Sequence, residues 1–255
     1  MPPSIEGAGV PLAYREFGPT HPARPDGSPV LLIHGSAADA EALAPVAESL
    51  ADGFRVIAYD RRGYGASGAP EPYVGTTVEE QAEDAALLIR GLGAGDALLV
   101  GDGFGALVAL DVVKRHEHLV RGVVLSDPPL FALVPEATEQ LARQRQEIEE
   151  AVREGGPQAG VEAWLGGRVE GDALARARAS YLGFFADFAG LASWPATRRE
   201  IRSLAHPAVV LTGPGSPPHV IAAADRLAEL LPNARRVHDG DLGAAVAKLP
   251  AGAPA

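Results

Sequence analysis

The chain contains no cysteine. Disulfide scaffolds, zinc–thiolate centres and cysteine nucleophiles are therefore excluded. Lysine is nearly missing as well: Lys114 and Lys248 are the only two among 22 basic residues. Arginine, alanine, glycine and proline abound instead, a bias that suggests a GC-rich genome more than any chemistry. Acidic residues outnumber basic ones, and the net charge of −11 argues against a nucleic-acid-binding face or docking on anionic lipid. No apolar run reaches the ~18 residues that suggest a transmembrane helix. The opening stretch MPPSIEGAGV has neither a basic n-region nor an apolar h-region, so a secretory signal is not expected. These absences together lead to the expectation of a soluble, cytoplasmic protein.

What is present is apolar residue in quantity. At 255 residues, 47% of them hydrophobic, the chain can bury a sizeable core and suits one α/β domain with an inserted cap. Residues 9–17 (GVPLAYREF) alternate loosely, as an early antiparallel strand does. Residues 18–28 are rich in proline, glycine and polar side chains and read as a loop. Short continuous apolar runs follow at 29–33 (PVLLI), 54–60 (FRVIAYD), 97–100 (ALLV), 119–125 (LVRGVVL) and 207–213 (PAVVLTG). Such runs mark strands covered on both faces. Helical patterns lie between them at 40–51, 78–92, about 103–115 and 220–231, with Thr77 the expected N-cap before Glu79 and Glu80. The final RRVHDGDLG holds one more strand end, and the terminal AGAPA is expected to fray.

Alternating strands and helices predict an α/β fold: a mostly parallel central sheet with helices on both faces. Right-handed crossovers put every strand's C-terminal end on one edge, where ligands bind. HGS (34–36), YDRRGYG (59–65), GDGFG (101–105) and SDPP (126–129) all fall there. The texture changes between residues 131 and 204. A charged helix is predicted over 136–154, then a second one capped by Asp172 and carrying Tyr181, Phe184, Phe185 and Phe188. Both tryptophans, Trp164 and Trp194, sit here too. The expected organisation is a core of residues 1–130 and 205–255 with a helical lid over 131–204.

The ordered set HGS, YDRRGYGAS, VGDGFGALVAL, a lid, VVLTGPGSPP and LPNARRVHDGDLG resembles the α/β-hydrolase fold superfamily across nearly the whole chain. That family places its nucleophile at the centre of a G-x-nucleophile-x-G turn between strand and helix. Here Gly101 and Gly105 are the flanking glycines, so Gly103 stands at the nucleophile position. Centring the turn on Asp102 would make Val100 and Phe104 its flanks, which a tight turn does not accommodate. The family histidine follows the last strand as a Gly-His pair, and here Gly240 is followed by Asp241, with His238 three residues before Asp241. The acid usually follows the strand that ends at Gly213, where Ser216 stands. A known variation moves the acid to the preceding strand end, the place of Asp127, which could equally cap the turn before Pro128. The resemblance thus implies a member with a degenerate triad. Its oxyanion hole, made from backbone amides, would be supplied by Ser36 and Phe104 and does not depend on a hydroxyl.

Asp241, Asp102 and Asp127 are accordingly the candidate catalytic residues. His34, Phe131, Trp164, Tyr181, Phe184, Phe185, Trp194 and His238 are the candidate substrate contacts. In the family's DxRGxG-like stretch an Asp–Arg pair fixes the loop, which makes Asp60, Arg61 and Arg62 architectural here. His116 and His118 read as exposed, and His206 and His219 have no partner motif. With no cofactor or metal implied, the leading expectation is acid–base chemistry without hydrolysis: a lyase, dehydratase, isomerase or cyclase. Its substrate would be a small apolar or aromatic carbonyl compound, in a setting such as natural-product biosynthesis. Two alternatives stay open, a ligand-binding protein without activity and a weak hydrolase using water held over Gly103. An apolar lid face suits pairing into a homodimer as well as it suits opening.

Overall fold

The computed structural model describes residues 2–19 and 28–249, leaving aside the side chains of Ala192 and Ser193. Most of the predicted loop at 18–28, and the AGAPA terminus, lie outside the described residues. Eight strands form one sheet: β1 (Ser4–Glu6), β2 (Pro11–Phe17), β3 (Val30–Ile33), β4 (Val56–Tyr59), β5 (Ala97–Asp102), β6 (Val120–Ser126), β7 (Ala208–Leu211) and β8 (Ala234–Val237). Their spatial order is β1-β2-β4-β3-β5-β6-β7-β8. The first two strands are antiparallel to their neighbours, and all pairings from β4 to β8 are parallel.

The parallel strands β3 to β7 bury both faces, and successive side chains divide between two cores because strand residues alternate in direction. Leu31, Ile33, Ile57, Tyr59, Leu99 and Val210 join one core. Val30, Leu32, Val56, Ala58, Val100 and Val209 join the other. On the first face pack α2 (Val78–Gly91), α3 (Phe104–Arg115) and α9 (Pro218–Leu230). On the second lie α1 (Ala44–Leu50) and α10 (Leu242–Val246). The Thr77 side chain accepts the Glu80 amide at 3.0 Å, as its N-cap position predicts.

Between β6 and β7 an inserted helical segment runs through α4 (Thr138–Gly155), α5 (Pro157–Leu165), α6 (Gly171–Ala179), α7 (Tyr181–Ser193) and α8 (Arg198–Ser203). The sequence pattern joined α6 and α7 into one helix and overlooked α5. Asp172 lies in the first turn of α6, not at its cap, and the aromatic residues belong to α7. Phe184 is fully buried at the centre of a small separate core with Val161, Leu165 and Ala177. Its ring meets those of Trp164, Phe185 and Phe188 edge-on at 5.5, 5.0 and 5.1 Å, the arrangement aromatic quadrupoles favour. Among the described residues no helix is long and apolar enough to cross a membrane.

Candidate functional site

The C-terminal ends of β3, β5 and β6 converge below the inserted helices on a cavity of about 800 Å³. Its floor is the turn from β5 into α3. Gly103 adopts φ 52°, ψ −119°, a conformation that strains any residue with a Cβ. A side chain at Gly101 would come within 2.3 Å of the Gly105 carbonyl oxygen, and one at Gly105 within 2.1 Å of the Ile33 oxygen. Those two close approaches fix the frame of the turn and leave Gly103 as its centre. A methyl group on Gly103 itself would meet nothing nearer than Gly35 Cα at 3.6 Å. The turn therefore has room above its centre.

Two amides border that room. Phe104 opens α3, so its N–H has no carbonyl within the helix to bond. Among the described residues neither it nor the Ser36 N–H has a hydrogen-bond partner. Ser36 is held by its hydroxyl, which donates to Asp187 Oδ2 at 2.6 Å, and both Ser36 and Phe104 line the cavity.

Two carboxylates share the floor. Asp102 ends β5 beside Ser126 of β6, and Asp127 follows directly. Burial pushes the Asp102 carboxyl up to about 6; the Ser126 hydroxyl opposes this, the Asp127 charge adds to it, and the Gly103 amide opposes it. Asp127 sits at φ 45° and accepts the Ser216 hydroxyl at 2.5 Å. Above them the wall is apolar, with Phe131, Leu141, Ile148, Phe185, Phe188 and Val220, while Arg145, Glu149 and Arg168 stand among the lining residues from α4 and the end of α5.

Of the candidate residues, Ser36, Asp102, Gly103, Phe104, Asp127, Phe131, Trp164 and Phe185 line this cavity. The others do not. Asp241 is exposed and caps α10, accepting the Ala244 amide at 2.8 Å. Its place after Gly240 matches the family histidine in sequence, but the short helix claims its carboxylate. His238 is exposed just beyond β8. His34 is fully buried; one ring nitrogen contacts the Gly35 carbonyl at 2.8 Å and the other accepts the Arg61 amide at 2.9 Å. Burial foremost, and then Arg61, hold its pKa well below the ordinary histidine value. It is a neutral brace for the loop. Phe184 and Tyr181 belong to the small aromatic core, and Trp194 donates to Asp111 Oδ1 of α3 at 3.0 Å.

The Asp–Arg expectation also needs correction. Asp60 pairs with neither arginine and accepts the Ala40 and Ala66 amides at 2.9 and 2.8 Å. Arg61 pairs with Asp187 of α7 at 2.7 Å, and Arg62 with Asp84 of α2 at 2.6 Å. Residues outside the motifs were invisible to sequence reasoning. His219, the second residue of α9, lines the cavity, and its only sequence signal is its place on a helix that starts from the ligand-bearing sheet edge. A second, more polar cleft of about 520 Å³ includes Arg15, Asp39, Glu41 and Arg176. Its charges are satisfied within it by Arg176–Asp39 at 2.6 Å and by Arg15–Glu41.

Comparison with known proteins agrees with this architecture: the family described as alpha/beta hydrolase fold matches residues 28–246, and the chain belongs to that family. It is similar to 2-(acetamidomethylene)succinate hydrolase of Mesorhizobium japonicum, with 32% identity over 183 residues, 68% of this chain and 63% of that protein. Another curated hydrolase is matched over 45% of its length, so the aligned region spans less than two thirds of either relative. Among solved structures, a thermophilic esterase from Thermogutta terrifontis superposes with a TM-score of 0.72 at 28% identity, covering 93% of this chain and 89% of that one. The enol-lactonase from Burkholderia xenovorans LB400 gives 0.68 at 25% identity, covering 96% and 95%. These relatives are hydrolases and esterases. They overturn the leading expectation of a non-hydrolytic lyase, dehydratase, isomerase or cyclase, which rested on the missing nucleophile and histidine and on the carboxylates around the turn.

Proposed function

We propose that this protein hydrolyses an ester-type acyl bond by direct attack of water, without an acyl-enzyme. The observation that carries the reading is the β5–α3 turn. Its glycine frame is intact and its centre, Gly103, has room above it, while Asp102 on the same strand end is a carboxylate of raised basicity. By the resemblance, the nucleophile position is Gly103 and the histidine position is Asp241, so neither carries its usual side chain. The hydrolases and esterases among its relatives support a hydrolytic role.

In this mechanism the substrate carbonyl oxygen is received by the Phe104 and Ser36 amides. A water over Gly103 gives one proton to the Asp102 carboxylate as its oxygen bonds to the carbonyl carbon. The carbonyl electron pair moves onto the oxygen held by the amides, where each donor contributes ~3–4 kcal/mol in well-studied cases. Collapse of the tetrahedral species breaks the bond to the leaving alcohol, which takes the proton back from Asp102. The products are a carboxylic acid and an alcohol, and Asp102 returns to its starting state. The apolar wall suits a small, largely apolar acyl compound.

Single turnover in ¹⁸O-labelled water tests this. The expected result is one labelled oxygen in the acid product, no acyl adduct on the protein by mass spectrometry, and a rate lowered about 10²–10⁴-fold in Asp102→Asn. An acyl adduct on the protein, or an undiminished rate in Asp102→Asn, overturns the reading.

A further inference from the structure

The hydrophobic part of the cavity wall contains one buried polar side chain for which the proposed mechanism has no use. His219 is 9% exposed. Its ring lies 5.3 Å from that of Phe131, tilted by 54°, and its neighbour in sequence Val220 is an apolar lining residue. Its Nδ1 is sealed from solvent without a hydrogen-bond partner. Nε2 is not among the sealed atoms and makes no hydrogen bond among the described residues, and the residue itself lines the cavity.

An unsatisfied buried polar atom costs about 1–3 kcal/mol, a cost that a purely structural position would avoid by carrying an apolar residue. Protonating the ring would set a second N–H against a surface with no acceptor. Burial accordingly lowers the pKa of this histidine, which favours the neutral ring. A neutral imidazole with one accessible nitrogen is suited to hydrogen-bonding an uncharged oxygen. A carboxylate would be better served by a cation, and Arg145 and Arg168 elsewhere on the lining, not His219, are the groups suited to it. Position adds to this: His219 stands three residues past Ser216, whose hydroxyl is bound to Asp127. The start of α9 therefore serves both the carboxylate floor and the apolar wall.

We infer that His219 reads the substrate: the cavity selects acyl groups that carry a second, uncharged oxygen, such as a ketone or hydroxyl, on an otherwise apolar frame. The inference takes its reaction from the proposed hydrolysis but concerns only how the acyl group is recognised.

The test uses a matched pair of phenyl esters, pentanoate and 4-oxopentanoate, which differ by one ketone oxygen in the acyl chain. The wild-type chain is expected to favour the oxo-ester about tenfold in kcat/KM, the worth of one hydrogen bond. In His219→Phe, which keeps an aromatic ring against Phe131, the ratio falls to about one through KM. In His219→Gln, which keeps a hydrogen-bonding end, part of it returns. The ratio is flat above about pH 7.5, where a histidine whose pKa burial lowers is neutral. The other titratable and charged groups of the cavity, Asp102, Asp127, Glu149, Arg145 and Arg168, act on both esters alike and cancel in the ratio. An equal ratio for the wild type and His219→Phe, or no wild-type preference, overturns the inference.

Binding is followed separately from turnover. Trp164 lines the cavity, so its fluorescence reports the Kd of the unreactive pair 2-octanone and 2,5-octanedione. If neither ester is hydrolysed but the dione binds about tenfold tighter only with His219 in place, the hydrolytic reading fails and this one stands. Equal Kd values for the two ketones overturn it in either case.

Discussion

Arg61 and Asp187 meet at 2.7 Å with no exposed surface on either side chain. One comes from the loop after β4 and the other from α7, so the pair ties the inserted segment to the sheet. The same carboxylate also accepts the Ser36 and Tyr64 hydroxyls, each at 2.6 Å, and the Gln81 amide at 3.2 Å. Replacing Asp187 by Asn leaves a buried guanidinium facing a neutral group, and breaking a buried pair from one side costs about 3–5 kcal/mol. The expected outcome is an unfolding free energy lowered by that amount, measured by urea titration followed by tryptophan fluorescence. An unfolding free energy within about 1 kcal/mol of wild type would mean that the pair is not the anchor.

Gly103→Ala tests the room above the turn. The methyl group meets only Gly35 Cα, at 3.6 Å, so the stability cost is the backbone strain of a side chain at positive φ, about 1–3 kcal/mol. The methyl also occupies the space in which the proposed water attacks. Hydrolysis should fall by at least about 10²-fold, with the far-UV spectrum unchanged. Retained activity in a folded Gly103→Ala chain would place the attacking water elsewhere.

Asp102 makes a prediction in which activity and stability move in opposite directions. Its folded-state value of about 6 stands above the ordinary 3.8, so between those values the native state holds the proton more tightly than the unfolded chain. Stability contributed by the protonated form is present below about 4 and lost as pH rises through about 6. At neutral pH the charged carboxylate is therefore a net cost, and Asp102→Asn should raise stability there by about 1–3 kcal/mol. In the proposed mechanism the same group is the base, so the rate should climb through about pH 6 and level off above it. A stability gain that persists unchanged at pH 4, or a rate that falls as pH rises through 6, contradicts the assignment.

Asp241 separates family position from chemistry. Asp241→Ala removes the α10 cap and should cost about 1 kcal/mol, while kcat/KM stays within twofold because the residue is exposed and outside the cavity. A large loss of activity with an intact melting curve would return Asp241 to the site.

The parallel sheet could be read from the chain because its strands are continuous apolar runs closed by glycine or charged loops, and the motifs after β3, β4, β5 and β6 fall on the expected edge. The frame of the β5–α3 turn was equally legible, since Gly101 and Gly105 admit no side chain. Long-range pairing was not. Nothing local in YDRRGYG says that Arg61 will find an aspartate 126 residues later, and the family pattern pointed to Asp60 instead. Within the inserted segment, Phe184, Phe185 and Phe188 lie close together in sequence, but only Phe185 and Phe188 line the cavity. Which aromatic faces the cavity and which fills the small core depends on helix packing that composition does not encode. His219, set aside in the sequence for want of a partner motif, gains its meaning from Phe131 and a sealed Nδ1, both matters of tertiary contact.

The inserted helices are held unequally. Helix α7 is fixed by a carboxylate that serves four partners, whereas α4, eighteen residues long, buries only Ile148 completely. Both border the same cavity, α4 through Leu141, Gln144, Arg145, Ile148 and Glu149. Any widening of the cavity is therefore cheapest on the α4 side, and substrates of the proposed reaction are expected to be sorted by size along that helix face. Changing Leu141 or Ile148 should shift chain-length preference while leaving the chemistry at Gly103 untouched, so selectivity and reactivity can be tuned independently in this protein.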